Sequence, residues 1–374
     1  MKIGIYTLPL NYNYGGLLQA FALQTVLERM GHDVTIIDRP LHQKEAFWER
    51  PREKTKRAIR KYLFREEHIR VFQENYEAAL YPLISKNTQK FIDRYLHTIK
   101  INDSSELHEG MFDSIVVGSD QIWRRAFHDS KRKCYDSFLA FAEKWKIKRI
   151  AYAASFGIDY WEYNKIDTIR CAELAKLFDA ISVRERSGVN LCYEHFGVKA
   201  EHVLDPTMLL QKEDYIRLFE AQGTRQSSGN LLCYILDETP FATEVINRIE
   251  QRMGLHRFHV NSRADNTWAT VEDRIQPPVE QWLRGFYDAE YVVTDSFHAC
   301  VFSFLFGKPF IVIGNQNRGM ERFRSLLQMV GLEERLITKE MTVDFIHQSS
   351  LKGALGRVEN LKDTSIQFLK DNLQ

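Results

Sequence analysis

The sequence has no CxxC pair, no cluster of cysteine and histidine at metal-ligand spacing, no HExxH and no DxD. A structural zinc site or a hydrolytic metal centre therefore has no ligand set to build on, and no metal is expected. GxSxG is also missing, and none of the cysteines Cys134, Cys171, Cys192, Cys233 and Cys300 stands beside an evident histidine partner. That removes support for a covalent hydrolase. An odd, dispersed set of cysteines inside apolar runs reads as reduced thiols in a cytoplasmic protein. No run of about 18 uncharged apolar residues occurs, so no membrane span is expected. Met1-Lys2-Ile3-Gly4 leads straight into a strand, so no signal segment is expected either. Charge of one sign is lacking as well: the net charge is +1, which gives no global pull toward nucleic acid. Internal repeats and low-complexity tracts are absent.

What remains is alternation. Short apolar runs expected as strands lie at Lys2–Tyr6, Val34–Asp38, Ser114–Val117, Arg149–Ala153, Ala180–Val183 and His202–Leu204. The series restarts at Leu231–Leu236, Arg257–Val260, Tyr291–Thr294 and Pro309–Ile313. Segments of helical period, such as Ala172–Phe178, Ala242–Arg252, Pro278–Tyr287 and His298–Phe306, fall between them. Alternation of this kind predicts an α/β chain of parallel sheets covered by helices. At 374 residues the chain is long enough for two domains. The division expected is 1–210 and 211–374, near the polar stretch "RQSSGN", as two Rossmann-like halves across a cleft. A final helix over Asn360–Leu373 could dock on either half.

A basic helical insertion around 40–110 breaks the pattern. Arg50, Arg52, Lys54, Lys56, Arg57, Arg60, Lys61, Arg65 and Arg70 crowd together with Trp48, Tyr62, Leu63 and Phe64 among them. Two readings stay open: a solvated helical excursion, or a surface for an anionic membrane or a lipid-phosphate acceptor. Nucleic acid is not expected as a partner.

Ligands of open α/β sheets bind at the carboxyl ends of the strands. The first expected strand is followed by Asn13-Tyr14-Gly15-Gly16 at the start of a helix, where unpaired amides and the helix dipole favour anions. This is not GxGxxG, and a tight turn is an equal reading. "VVGSDQIWR" places Ser119, Asp120 and Trp123 at a strand tip, "AASFG" places Ser155, "SVRERSG" places Arg184, and "LDPT" places Asp205. In the second half "TDSFHAC" supplies Ser296 and His298, and "IGNQNRGMERF" supplies Asn315, Arg318 and Arg322. Arg184 follows an apolar run, where a guanidinium can grip carboxylate or phosphate. His298 opens an apolar helix; it is either a satisfied core residue or an acid–base near neutral pH.

At these same residues the chain resembles the polysaccharide pyruvyl transferase family. The resemblance runs in order from "KIGIYTLPLNYNYGGLLQAFALQ" through "VVGSDQIWR", "KRIAYAASFG", "ISVRERSG" and "HVLDPTMLL" to "TDSFHACVFSFLFGKPFIVI" and "RFRSLL". It implies a GT-B-like fold with the site in the cleft, and phosphoenolpyruvate as donor substrate with no further cofactor. The implied acceptor is a sugar hydroxyl pair in a surface-polysaccharide precursor, often polyprenyl-linked, and the product a pyruvate ketal. The family's SVRE arginine matches Arg184, and its second-domain histidine matches His298. The arginine two residues before that histidine is replaced by Ser296, so Arg318 or Arg322 is expected to supply the charge. The resemblance thus implies catalysis by His298 and Arg184, and with the strand-tip residues donor binding is expected at Arg184, Ser296, His298, Asn315 and Arg318. It leaves the acceptor or cleft to Asn13, Tyr14, Gly15, Gly16, Ser119, Asp120, Trp123, Ser155 and Asp205. The expected location is the cytoplasm; peripheral contact at the inner membrane face is the reading that rests on the charges of the basic 50–70 segment. Two rivals remain: a GT-B glycosyltransferase using a sugar nucleotide, and a non-catalytic glycan-binding protein of the same fold.

Overall fold

The computed structural model describes residues 1–39, 51–66, 69–314, 319–338 and 351–374. Seven strands make the first sheet: β1 (Lys2–Tyr6), β2 (Asp33–Asp38), β3 (Thr98–Lys100), β4 (Ser114–Val117), β5 (Lys148–Ala154), β6 (Ala180–Val183) and β7 (Glu201–His202). Their order is β3-β2-β1-β4-β5-β6-β7, and every neighbouring pair is parallel. The second sheet holds β8 (Leu231–Tyr234), β9 (Arg257–Phe258), β10 (Tyr291–Thr294), β11 (Phe310–Ile313) and β12 (Leu336–Ile337). Its order is β12-β11-β10-β8-β9, again all parallel. The central strands β4, β8, β10 and β11 are buried at every position, as expected where helices cover both faces.

Each sheet reverses its winding once. The first does so between β1 and β4, the second between β8 and β10. A doubly wound sheet opens a crevice at such a switch point, outside the carboxyl ends of its strands. The architecture is α/β and GT-B-like, and the two switch points face each other.

The helix Tyr14–Arg29 holds the halves together. Asn13 caps it, its side-chain oxygen accepting from the Gly16 amide at 3.3 Å. Beyond the cap the helix is buried at Leu17, Leu18, Ala20, Ala22, Leu23 and Leu27, in an apolar core that includes Val116 and Ile150 of the first sheet and Leu232 and Val292 of the second. Tyr14 is buried, and its hydroxyl donates to the carbonyls of Pro277 (2.8 Å) and Val260 (3.3 Å) in the second half. The helix Lys352–Asn372 also bridges. Arg357 donates to the Val330 carbonyl at 3.0 Å, while the Ser365 hydroxyl accepts from the Leu204 amide at 3.0 Å.

The connection between β2 and β4 contains helices Pro51–Tyr62, Gln73–Ile84 and Lys86–Tyr95, then the short edge strand β3. Two of these helices reach the second half: Glu77 pairs with Arg274 at 2.6 Å, and Asn87 donates to the Gln276 carbonyl at 2.9 Å. Where the halves meet, Trp282 is fully buried with its ring centroid 5.4 Å from Tyr14, 4.5 Å from Phe286 and 5.0 Å from Phe302. Trp282→Ala would open a cavity at this junction. The expected cost is about 3–5 kcal/mol, read as a lowered midpoint of denaturant unfolding.

Candidate active site

The strand tips of the first sheet converge on Arg184, which follows β6 and is buried. Its Nη1 donates to Asp205 at 2.8 Å; its Nη2 donates to Asp120 and to the Ser155 hydroxyl, each at 3.2 Å. Its Nε lies 3.4 Å from the Glu185 carboxylate. Ser155 in turn donates to Glu185 at 2.5 Å. The opposite half supplies the last wall, since the guanidinium carbon sits 4.3 Å from the centre of the Phe297 ring. The Arg322 guanidinium is also near that ring, at 5.7 Å.

This packing fixes the charge states. Burial favours the neutral forms of Asp120 and Asp205, but Arg184, with Arg322 acting on Asp120 and the Thr207 hydrogen bond on Asp205, outweighs it and holds both carboxyls below their usual range. For Arg184 burial acts downward, and Glu185, Asp205 and Asp120 overcome it. Arg322 is pushed down to about 10, by burial first and then by Arg184.

His298 lies across the cleft at the second residue of the helix Phe297–Leu305. Its Nε2 is 3.8 Å from Asp205 Oδ2, beyond hydrogen-bond reach, and is buried with no hydrogen-bond partner among the described residues. Burial lowers its pKa; Asp205 and Asp120 oppose that, and Arg184 and Arg322 add to it. The imidazole is therefore neutral at neutral pH. Asp205 is well held for its place between Arg184 and His298, because its other oxygen accepts from the Thr207 amide (3.0 Å) and hydroxyl (2.6 Å).

The glycine pair has two different uses. A side chain at Gly15 would overlap the His298 imidazole at Nδ1, so only glycine lets this helix start approach the ring. A side chain at Gly16 would meet only Asn13, at an ordinary contact of 3.8 Å, and the residue serves through its amide, which Asn13 caps. Two helix N-termini, at Tyr14 and Phe297, thus open onto one cleft with a histidine between them.

A family model for polysaccharide pyruvyl transferase matches residues 13–317. The chain belongs to this family. No curated protein matches its sequence significantly. Among solved structures it is similar to Arabidopsis thaliana UGT89C1 complexed with UDP-L-rhamnose, at 9% identity over 98% of each chain with a TM-score of 0.49. It is likewise similar to the UDP-GlcNAc 2-epimerase from Neisseria meningitidis bound to UDP-GlcNAc, at 11% identity over 100% of each chain with a TM-score of 0.47. Likeness at this level says nothing about substrate.

Of the residues singled out in the sequence, Gly15, Asp120, Ser155, Arg184, Asp205 and His298 come together in this pyruvyl transferase-family chain. Ser296 stands beside them, its amide donating to the Thr294 hydroxyl at 3.0 Å. Ser119 is one step back: its amide donates to Gln19 and its hydroxyl to the Ala153 carbonyl. Trp123 is not in the cleft. It is fully buried in the first half, stacked 4.8 Å from Phe138, with its indole N–H donating to the Ser137 carbonyl at 3.0 Å. Tyr14 is spent on the junction between halves, and Asn13 on the helix cap. Asn315 and Arg318 lie outside the described residues. Phe297 completes the site without having been picked out, and Glu185, at the same strand tip as Arg184, was given no role; both are sequence neighbours of residues that were.

Removing the Arg184 charge strands three buried carboxylates. Arg184→Met is expected to lower stability by about 3–5 kcal/mol, measured by denaturant unfolding. The His298 imidazole gives a pH signature. Its folded pKa is below the unfolded value of about 6.5, so the unfolded chain takes the proton first. Its share of stability is complete above that value and falls as pH drops toward the depressed one. His298→Gln should flatten the fall of melting temperature over that window; an unchanged slope would mean the ring titrates as in water.

Proposed function

We propose that this chain transfers the pyruvyl group of phosphoenolpyruvate to two hydroxyls of a sugar in a surface-polysaccharide precursor, forming a ketal and releasing phosphate. The observation that carries this reading is a buried His298 whose Nε2 has no hydrogen-bond partner among the described residues, beside the Phe297 ring that the Arg184 and Arg322 guanidiniums face, in a chain of the pyruvyl transferase family. Helix N-termini and guanidiniums suit a small, highly charged anion. Arg322, whose charge burial and Arg184 both disfavour, gains from its arrival.

The reaction then runs as a proton relay. Donor binding brings negative charge beside His298 and raises its pKa, so the ring becomes an acid. It protonates the methylene carbon of the enol phosphate, leaving a cation at C2. One sugar hydroxyl adds to C2 and its proton returns to the imidazole. Phosphate departs, the second hydroxyl closes the ketal, and the second proton leaves with phosphate. The methylene becomes a methyl group, so atoms and charge balance. Arg184 acts through Asp205 and Asp120, which set the field at the imidazole; in this reading it is a positioning residue. Asp205 and Asp120 are the groups placed to accept from the acceptor's hydroxyls.

The test is a thermal-shift titration with phosphoenolpyruvate beside a panel of sugar nucleotides, followed by turnover on acceptors. Saturable stabilisation by phosphoenolpyruvate is expected. His298→Ala should lower kcat by about 10²–10⁴ as a lost acid–base. Gly15→Ala, which drives a methyl group into the ring, should fall with it while the protein stays folded. Wild-type turnover in His298→Ala would remove the histidine from the mechanism. Stabilisation by a sugar nucleotide alone would replace the donor.

A further inference from the structure

The helix Pro51–Tyr62 and the turn after it present an unusual combination. Over residues 51–66 there are seven basic residues (Arg52, Lys54, Lys56, Arg57, Arg60, Lys61, Arg65) and two acidic ones (Glu53, Glu66). Seven less two gives +5 here against +1 for the whole chain, so the remainder sums to −4 and the positive field is concentrated on this segment. Three of the cations are engaged. Lys54 is buried near the Phe72 ring, Arg57 forks onto Glu74 at 2.7 Å, and Arg60 forks onto Glu66. Among the described residues no carboxylate pairs with Arg52, Lys56, Lys61 or Arg65.

A solvated charged helix would turn its apolar residues inward. This one leaves Tyr62 at 74%, Leu63 at 73% and Phe64 at 65% exposure, with Ile59 at 46%. Pro51, Thr55, Ile59 and Phe64 line a shallow groove of about 550 Å³ rimmed by Arg52 and Lys56. The surface is mounted on the cleft wall. Glu74, which holds Arg57, belongs to the helix Gln73–Ile84, and Tyr81 of that helix donates to the Leu10 carbonyl at 3.3 Å on the loop leading to Asn13.

We propose that this surface docks on an anionic lipid bilayer. Ile59, Leu63 and Phe64 enter the boundary between headgroups and acyl chains, and Arg52, Lys56, Lys61 and Arg65 lie among the lipid phosphates. The exposed aliphatic side chains of Ile59 and Leu63 favour a bilayer over nucleic acid, whose bases would stack on the aromatic ones alone. Any such contact is peripheral, since no helix among the described residues is long and apolar enough to cross a membrane. The docking stands by itself; only its purpose, presenting a lipid-linked acceptor to the cleft, rests on the function proposed above.

The experiment is co-sedimentation of the full chain with vesicles of pure phosphatidylcholine, or of equal parts phosphatidylcholine and phosphatidylglycerol, at low and physiological salt. Neither donor nor acceptor is present, so a failure of the donor assignment does not affect the result. Binding to the anionic vesicles alone, weakened by salt, is expected. Lys56→Gln and Lys61→Gln should each weaken partitioning about fivefold, as one basic residue near the surface does. Leu63→Ser with Phe64→Ser keeps every charge and should still weaken it about tenfold. These side chains are exposed, so the circular dichroism and melting temperature of each variant should match wild type. Absence of binding to anionic vesicles at low salt would overturn the proposal. So would wild-type binding by the Leu63→Ser, Phe64→Ser variant, which would mark a surface for polyanions such as nucleic acid.

Discussion

A guanidinium taken fully out of water must be neutralised within hydrogen-bond reach, or the fold cannot hold it. Arg184 is such a group, and the first half is organised around it. The tips of β4, β5 and β6 and the turn after β7 contribute Asp120, Ser155, Glu185 and Asp205, all of which touch it or each other. The three carboxylates outnumber Arg184, and they stay in excess by one even when Arg322 is counted. That explains why Arg322, on the other half, is drawn close enough to face the same Phe297 ring. A charge network of this type gives little net stability, because desolvation offsets much of the Coulomb gain. What it gives is a fixed field at one point in the cleft.

That point is the His298 imidazole. Three elements locate it: the helix Phe297–Leu305 carries it, Asp205 faces its Nε2, and Gly15 leaves room beside Nδ1. The glycine belongs to the first half and the histidine to the second, so the site exists only while the halves are joined. The junction is accordingly not a hinge of sparse contacts. Tyr14, one residue before Gly15, is locked to Pro277 and Val260, and the aromatic cluster around Trp282 packs behind it. Site geometry and the stability of the junction are therefore one property.

Most of this framework was legible in the sequence. β1, β4, β6 and β10 fall where the apolar runs put them, because a strand buried on both faces leaves a strong local signature. β3 and β12 were missed; they are edge strands of three and two residues, too short for any pattern. The helix expected from Ala172 begins at Lys165, where Asn164 caps it through Asp167, a signal in side-chain chemistry instead of apolar period. At the site, strand-tip logic found Asp120, Ser155, Arg184, Asp205 and His298, since tips are fixed once strands are. It also brought in Trp123, which turns back into the core, because chain position does not say which way a side chain points. That Arg184 is enclosed by carboxylates, and so is not an open anion clamp, depends on contacts 21 and 64 residues apart in sequence and could be read only from the fold.

The enclosed arginine and the neutral histidine together bear on how an enol phosphate could be activated without being wasted. A histidine protonated at rest would hold a proton in the cleft before any acceptor is in place. Here burial and two guanidiniums keep the ring neutral, while Asp205 and Asp120 stand close enough to stabilise the charged form once something tips the balance. On the proposed reading the donor itself does so, since its negative charge offsets Arg184 and Arg322, the two groups that depress the ring. The acid is then created by the substrate it is to protonate. On the same reading the excess of carboxylates over cations has a use: a site with free positive charge would bind the donor tightly, but it would leave the imidazole no means of acquiring its proton.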